Sequence, residues 1–274
     1  MEKAPLLELV GIVKRFNKVS VAEGFAFSVA EGEAVGIVGP NGAGKTSLFG
    51  VISGELREDA GEVRLGGELL NKRDSADRCR MGIGRTHQIP RPFQQMTVFE
   101  NVLVAAHQGA GLKGRAATEL ATSVLSETGL YDVANRAAGR LGLLHRKRLE
   151  LARALATNPR ILLLDEVAGG LTDPEVDELI KIVLNARKSG VAVIWIEHAV
   201  RALVETMDRL ICIAGGLIIG DGKPAQVLAM SEVKEVFLGT EPGEEVALNI
   251  EHYSSHGNVD DGKGGQVPNE SNGN

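Results

Sequence analysis

The chain reads Gly39-Pro40-Asn41-Gly42-Ala43-Gly44-Lys45-Thr46 directly after the apolar run Ala34-Val35-Gly36-Ile37-Val38. This order predicts a buried strand, a glycine-rich turn and then a helix, so that backbone N–H groups and the positive helix end face a phosphate. The lysine is expected to reach the terminal phosphates of a nucleotide, and the threonine hydroxyl to bind Mg²⁺. A glycine-rich turn with a chance lysine is the alternative, which the flanking patterns disfavour. The candidate nucleotide contacts are Gly39, Pro40, Asn41, Gly42, Ala43, Gly44, Lys45, Thr46 and the following Ser47.

Composition narrows the classes of protein to which the chain can belong. Its 274 residues are 43% hydrophobic and 24% charged, as is typical of a globular protein with a large core. The net charge of −6 argues against nucleic acid as a partner. The cysteines, Cys79 and Cys212, lack metal-ligand spacing, and the first five residues lack an export-signal pattern. We expect a cytoplasmic protein without a membrane-spanning helix of its own.

The order of predicted elements indicates an α/β fold. Short strands are predicted at 6–12, 24–29 and 63–65, feeding the strand of the glycine-rich segment. Helical periodicity covers 97–130, and apolar runs at 161–164 and 191–196 predict parallel strands buried on both faces. We expect one nucleotide-binding domain at 1–240, with a helical insert at about 97–145. The polar segment 241–274 is predicted to be a tail, disordered from about His252.

A pair of carboxylates, Asp165 and Glu166, follows the apolar run 161–164. Open α/β sheets bind their ligands at the carboxyl ends of strands, so this position favours a metal and hydrolysis site. Asp165 is expected to hold Mg²⁺, directly or through water. Glu166 is the candidate for polarising the water that attacks the γ-phosphate. Two acids that cap the next helix are the alternative, which the presence of the glycine-rich segment 39–46 disfavours.

Two further side chains are candidates for the same site. His198 follows the run 191–196, whose strand is expected to lie beside the strand that ends at Asp165. The imidazole would then approach the γ-phosphate, although a lone histidine at a strand end is more often a packing residue. Gln88 can offer its amide oxygen to the metal or to the attacking water, but a single glutamine carries no signal by itself.

Together, residues 39–46, Gln88, residues 141–158, Asp165-Glu166 and His198 resemble the nucleotide-binding subunit of an ATP-binding cassette (ABC) transporter over about residues 6–239. Segments at 85–88, 96–102, 148–155 and 235–239 are similar to the branch that imports branched-chain amino acids. The resemblance implies a P-loop NTPase (RecA-like) core of α/β class, with an antiparallel β subdomain and an inserted α-helical subdomain. It also implies ATP with Mg²⁺ as cofactors and an ATPase activity coupled to transport.

The resemblance further implies roles and partners. Phe16 would stack on adenine, although the residues alone allow it to be a core side chain. Gln88 would link the metal site to the membrane partner, and His198 would be the switch histidine. The implied partners are membrane permease subunits, which would face the loop 88–98, a second ABC ATPase subunit and, indirectly, an external solute-binding protein. The chain would then lie at the cytoplasmic face of the inner or plasma membrane.

The chain departs from the family pattern at two places. The family's signature, typically Leu-Ser-Gly-Gly-Gln, falls on Leu141-Gly142-Leu143-Leu144-His145, so that its serine, its second glycine and its glutamine are missing. In the family this serine donates a charge-assisted hydrogen bond, worth about 1.5–3 kcal/mol, to the nucleotide of the other subunit. Val167 replaces a usual proline, and Thr172 falls near the expected aspartate of the dimer-contact loop. We expect a heterodimer with a different ATPase subunit, in which the site using residues 142–145 hydrolyses slowly.

Several functions compete with amino-acid import. Urea or short amides are the alternative cargo, because specificity in this family resides in the permease and the binding protein. A regulatory ABC protein with weak ATPase activity is the alternative class, although such proteins often carry two cassettes and this chain has room for one. A cassette that binds ATP only as a structural ligand would fit the altered signature. A P-loop kinase or GTPase is disfavoured, and a GTPase would need an Asn-Lys-x-Asp motif, which the sequence lacks.

Overall fold

The computed structural model describes residues 5–17, 19–198 and 200–239. The tail predicted at 241–274, including the disorder expected from His252, lies outside the described residues. Within them, no helix combines the length and apolar character needed to cross a bilayer.

An antiparallel sheet contains the first strands of the chain. Its order is β2-β1-β4-β5, and apolar side chains such as Leu7, Leu9 and Ile12 are fully buried on one face. The strands predicted at 6–12, 24–29 and 63–65 all lie in this sheet, but within the described residues they pair with one another and do not join the strand of the glycine-rich segment. The bounds are β1 Leu7–Phe16, β2 Val19–Val29, β4 Ala60–Leu65 and β5 Glu68–Leu69.

The second sheet is the centre of the fold and has the order β10-β9-β3-β8-β7-β6. All its pairs are parallel except β9 with β10. Three of its strands, β3, β7 and β8, are buried throughout, which explains their uninterrupted apolar sequences. The bounds are β3 Ala34–Val38, β6 Ile83–Arg85, β7 Ile161–Asp165, β8 Ala192–Ile196, β9 Arg209–Ala214 and β10 Leu217–Gly222.

Helices cover the central sheet and form the segment predicted as an insert. The pattern predicted over 97–130 is two helices, α3 and α4, separated by residues 109–113, because glycines occupy 109 and 111. Thr97 and Glu100 form a capping box at the start of α3. The bounds are α1 Lys45–Ser53, α2 Ser75–Arg80, α3 Val98–Gln108, α4 Gly114–Glu127, α5 Leu143–Leu155, α6 Asp173–Lys188, α7 Val200–Thr206, α8 Pro224–Ala229 and α9 Ser231–Gly239.

Separate apolar clusters hold these layers together. One joins the antiparallel sheet and α1 to one face of the central sheet, and another packs α6 and α7 against the opposite face. A third lies among α3, α4 and α5, and includes Val102, Leu125 and Leu149. The helical segment therefore has a core of its own, which agrees with an inserted subdomain, while its bounds of 97 and 145 stay a prediction. The carboxyl ends of β3, β7 and β8 meet at one edge, where α1 begins.

Candidate nucleotide-binding and hydrolysis site

The turn between β3 and α1 needs glycine at two positions for steric reasons. Gly39 has φ +149° and Gly44 has φ +97°. A Cβ at Gly39 would lie 2.0 Å from the backbone oxygen of Ile213, and one at Gly44 would lie 2.0 Å from that of Val21. At Gly42, where φ is +78°, a Cβ would meet nothing within 4 Å. The two glycines that define the G-x-x-x-x-G-K pattern are thus the two positions of the turn at which neighbouring backbone leaves no room for a side chain.

Lys45 is the first residue of α1, and its side chain lies inside the turn. Its Nζ donates to the backbone oxygens of Gly39 at 2.7 Å and Pro40 at 2.9 Å. Burial lowers the pKa of Lys45, while the carboxylates of Glu166 and Asp165 act in the opposite direction. The ammonium group is therefore held by carbonyl oxygens that phosphate oxygens can replace.

The side chains predicted at the ends of β7 and β8 do meet. The strands pair in parallel, with Asp165 opposite Ile196, which confirms the predicted adjacency. Glu166 Oε1 lies 3.1 Å from His198 Nε2. Its other carboxylate oxygen accepts a hydrogen bond from Nε2 of Gln88. One carboxylate, one amide and one imidazole from distant parts of the chain thus share a small volume beside the phosphate-binding turn.

The backbone of Glu166 is itself unusual. Its φ of +47° lies in the left-handed region, which costs a residue with a side chain on the order of 1–3 kcal/mol and persists only where surrounding contacts enforce it. Glu166 N donates to Ile196 O at 2.9 Å. Glu166 O accepts from Lys147 Nζ at 3.1 Å. The chain therefore turns sharply at the end of β7 and directs the Glu166 side chain toward Gln88 and His198.

Asp165 lies deeper than Glu166 and is 1% exposed. Its Oδ2 is 3.3 Å from Arg85 Nη2, and its Oδ1 is buried without a hydrogen-bond partner among the described residues. Burial raises the pKa of Asp165, and Arg85 opposes this shift. A buried carboxylate oxygen without a donor, with the hydroxyl of Thr46 and the amide oxygen of Gln88, forms the all-oxygen set that suits Mg²⁺. The predicted metal ligands therefore fit this ion by their chemistry.

A cavity of about 320 Å³ connects the phosphate-binding turn with Gln88 and Glu166, whereas Asp165 and His198 do not line it. Phe16, at the end of β1, lines it and is 43% exposed, with Lys14 Nζ 5.4 Å from its ring centre. This position leaves a ring face accessible, as a base-stacking residue requires, and it excludes the alternative that Phe16 is a core side chain. The remaining lining is Val21, Asn41, Gly42, Ala43, Gly44, Lys45, Thr46, Ser47, Gln88 and Glu166.

Sequence reasoning missed three charged residues around the site, of which Glu197 and Lys147 are buried and Arg85 is partly buried. Arg85, on β6, contacts Asp165 and also lies 3.1 Å from Glu55. Glu197 accepts hydrogen bonds from Ala168 N at 2.6 Å and His198 N at 3.0 Å, and burial raises its pKa. Lys147 lies on the buried face of α5. Lys147 belongs to the basic run 146–148, and such a run predicts an exposed helix face. Only its spacing of four residues from the buried Leu151 could have indicated that Lys147 is buried.

The divergent segment 141–145 forms the start of α5. Gly142 is its N-cap, with no side chain to accept a hydrogen bond from the first turn. Leu143 is 48% exposed, which is unusual for a leucine at a helix start. Thr172, in the other departure, caps α6 and forms a capping box with Glu175. The missing signature hydroxyl therefore leaves an uncapped helix end bordered by an exposed apolar side chain.

Comparison with known proteins agrees with this geometry. Residues 22–169 match the family model described as ABC transporter. The high-affinity branched-chain amino acid transport ATP-binding protein BraF of Pseudomonas aeruginosa is 36% identical over 250 residues, covering 86% of this chain and 98% of BraF. The lipopolysaccharide export system ATP-binding protein LptB of Haemophilus influenzae is 32% identical over 234 residues, covering 85% and 97%.

A solved structure of the ADP conformation of MJ1267, an ATP-binding cassette of an ABC transporter, superimposes with a TM-score of 0.77. It is 29% identical and covers 86% of this chain and 100% of that one. The fold predicted from the sequence, a P-loop NTPase core with an antiparallel sheet and a helical insert, is thereby confirmed. This chain belongs to the ABC transporter family, as one of its ATP-binding, ATP-hydrolysing members.

Proposed function

We propose that Glu166 is the base that polarises the water attacking the γ-phosphate of ATP. The observation that carries this proposal is the meeting of Glu166 with Gln88 and His198 beside the phosphate-binding turn. Lys45 exchanges the carbonyl oxygens it now contacts for β- and γ-phosphate oxygens. His198, freed from Glu166, donates to the γ-phosphate through Nε2.

Thr46, Gln88 and Asp165 would hold Mg²⁺, which neutralises the charge of the phosphates when bound. Nε2 of Gln88 donates a hydrogen bond to Glu166, so the amide oxygen is the side-chain atom that can coordinate the metal. Asp165 offers its unpartnered oxygen Oδ1. Phe16 would stack on adenine, because its exposed ring lines the same cavity as the phosphate-binding turn.

We propose that this hydrolysis powers the import of branched-chain amino acids. Support comes from the similarity to BraF, which spans nearly all of that protein. Urea or short amides are the alternative solutes, because specificity in this family resides in the permease and the external binding protein. Export is a second candidate direction, favoured by the similarity to LptB over almost the same share of the chain.

The membrane partners would dock beside the loop that follows Gln88. Ile89 and Phe93 are 70% and 47% exposed there, which is costly for a surface facing only water. Phe93 also borders a cavity of about 390 Å³ between the helical segment and the central sheet. A permease loop inserted there would couple directly to Gln88. We therefore place the chain at the cytoplasmic face of the membrane, with an external solute-binding protein acting through the permeases.

We further propose that the second ATPase subunit is a different protein. Gly142 offers no hydroxyl, and Leu144 puts a bulky side chain where backbone would approach a phosphate. Two copies of this chain would share that defect at both sites. A heterodimer restricts it to one site, which would hydrolyse slowly.

The partners are tested by purifying the tagged chain from mildly solubilised native membranes and identifying the co-purifying proteins by mass spectrometry. We expect permease subunits and a second cassette of different sequence. Recovery of soluble partners alone would overturn the transport proposal in favour of a regulatory ABC protein. Recovery of permeases with this chain as the sole cassette would overturn the heterodimer.

The catalytic assignment is tested on the purified complex by substituting Glu166→Gln. This substitution keeps the size of the side chain and removes its basicity, so turnover should fall on the order of 100-fold or more while ATP binding persists. Phosphate release and nucleotide binding are measured separately. Wild-type turnover in Glu166→Gln would disprove the assignment of Glu166.

A further inference from the structure

Lys147 contacts both halves of the candidate catalytic site without belonging to the cavity. Its Nζ donates to the backbone oxygen of Gln88 at 3.1 Å and to that of Glu166 at 3.1 Å. These are the two residues whose side chains are hydrogen-bonded to each other. A single ammonium group therefore fixes the main chain at both ends of that contact.

The environment of Lys147 is costly for a charged group. The residue is 5% exposed, and burial lowers its pKa, opposed by the charges of Glu197, Glu166, Asp165 and Glu150. Among the described residues, no carboxylate lies within ion-pair distance of its Nζ. Two of these acids are occupied elsewhere, because Glu150 pairs with Arg153 and Glu197 accepts from backbone N–H groups. A buried cation held by carbonyl oxygens is an expensive way to attach a helix to a sheet, for which apolar side chains suffice.

The carbonyl of Glu166 is where such a donor has a specific effect. Glu166 has left-handed backbone geometry, and its N–H is fixed by Ile196 on one side. Lys147 Nζ at 3.1 Å and Gly169 N at 3.3 Å both donate to the backbone oxygen of Glu166, and Lys147 is the side-chain donor of the two. Without Lys147, the backbone oxygen of Glu166 keeps only the longer hydrogen bond from Gly169 N, so the peptide after Glu166 can relax toward an ordinary conformation, which would swing the carboxylate away from Gln88 and His198. A displacement of about 1 Å in a reacting group is enough to reduce a rate on the order of 100-fold.

We propose that Lys147 is a positioning residue, which holds the candidate base Glu166 and the candidate metal ligand Gln88 in register through their backbone oxygens. Lys147 does not line the cavity beside the phosphate-binding turn. This inference rests on the proposed role of Glu166. Lys147 is in the second turn of α5, which begins within the divergent segment 141–145, so it ties the orientation of that helix to the geometry of the hydrolytic site.

The test compares Lys147→Met with Lys181→Met in the complex purified with its membrane partners. Methionine keeps the length of the buried stem and removes the donors, whereas Lys181 is an exposed lysine on α6. The one tryptophan of this chain, Trp195, is fully buried on β8 next to β7, so its emission in the variant chain purified alone reports whether the sheet is intact. We expect Lys147→Met to lower kcat about 10–100-fold with KM for ATP within about threefold. Lys181→Met should stay within about twofold of the wild type.

A second measurement separates positioning from a general structural role. Single-turnover assays compare Glu166→Gln alone with Glu166→Gln combined with Lys147→Met. If Lys147 acts through Glu166, the single-turnover rate of the double variant should be little lower than that of Glu166→Gln, because the carboxylate that Lys147 positions is already lost. Multiplication of the two losses, a loss carried by KM alone, or an unchanged kcat in Lys147→Met would overturn the inference.

Two outcomes keep this inference distinct from the function on which it rests. Wild-type kcat in Glu166→Gln refutes the base itself, whatever Lys147→Met does. A collapse in Glu166→Gln beside normal kcat in Lys147→Met refutes only the role of Lys147. If Lys147→Met alters the emission of Trp195, Lys147→Leu replaces it, since leucine also removes the N–H donors and leaves an apolar side chain, and the same three criteria apply.

Discussion

Adding one methyl group at Gly44 should disrupt the phosphate-binding turn, whereas the same change at Gly42 should not. Both residues have positive φ, +97° at Gly44 and +78° at Gly42, so alanine pays a similar left-handed cost at each, about 1–2 kcal/mol. They differ in what the new Cβ meets. At Gly44 it would lie 2.0 Å from Val21 O, a backbone atom that cannot rotate away, and at Gly42 it meets nothing within 4 Å.

The collision adds an overpacking cost of about 1–3 kcal/mol at Gly44. The free energy of unfolding should therefore fall by about 2–5 kcal/mol in Gly44→Ala and by about 1–2 kcal/mol in Gly42→Ala. For a domain of this size each kcal/mol lowers Tm by about 2–4 °C. We expect Tm to drop by about 4–20 °C in Gly44→Ala and by about 2–8 °C in Gly42→Ala.

Thermal unfolding with and without ATP and Mg²⁺ measures both effects. At a ligand concentration 100 times Kd, the wild type gains about 2.7 kcal/mol, which raises Tm by about 5–11 °C. Gly44→Ala should lose this gain, because the shifted turn no longer directs its N–H groups at phosphates. The steric reasoning is refuted if Gly42→Ala is the less stable variant, or if Gly44→Ala keeps the full ATP-induced rise in Tm.

Two further predictions concern residues outside the site. Arg78 is 1% exposed and donates to the backbone oxygens of Val51, Ile52, Leu70 and Arg73, so Arg78→Met should lower the free energy of unfolding by about 2–4 kcal/mol, as measured by urea denaturation. Arg80→Met, which removes a half-exposed pair with Asp77, is the control and should change it by less than about 1 kcal/mol. Glu175 accepts hydrogen bonds from Thr172 N and Oγ1, which lower the pKa of its carboxyl from the ordinary value of 4.5. The cap therefore stabilises the fold above about pH 4.5 and is lost as pH falls, so the destabilisation in Glu175→Ala should be larger at pH 7 than at pH 4, and an equal loss at both would contradict the assignment.

The parts of the site that could be predicted from the sequence are those whose geometry is local. The turn 39–46 carries its own strand, glycines and helix start, so its form depends little on the rest of the chain. The meeting of Glu166 and His198 was also predictable, since the ends of adjacent parallel strands lie at one edge of a sheet. Their chemical roles remain predictions, because proximity alone assigns none of them.

The residues that sequence reasoning missed depend on contacts between distant segments. Lys147 reads as part of a solvated basic run, and only the packing of α5 against the ends of β6 and β7 buries it. Glu197 precedes His198 and reads as an exposed acid at a strand end, yet its carboxylate satisfies two backbone N–H groups in separate loops. Helical or strand periodicity carries no information about such partners. The burial and the partners of Lys147 and Glu197 could therefore be recognised only from the three-dimensional structure.

The position of β3 between β8 and β9 has a consequence for the synthesis of the chain. The strand that leads into the phosphate-binding turn leaves the ribosome early, but its partners β8 and β9 are encoded about 160 residues later. At about 5–20 residues per second, β3 waits on the order of 10–30 s with both edges unpaired. Its apolar sequence is then exposed to aggregation, so that newborn chains need protection during this interval. Nucleotide cannot assist the early stages, because the pocket forms only after most of the chain has been made.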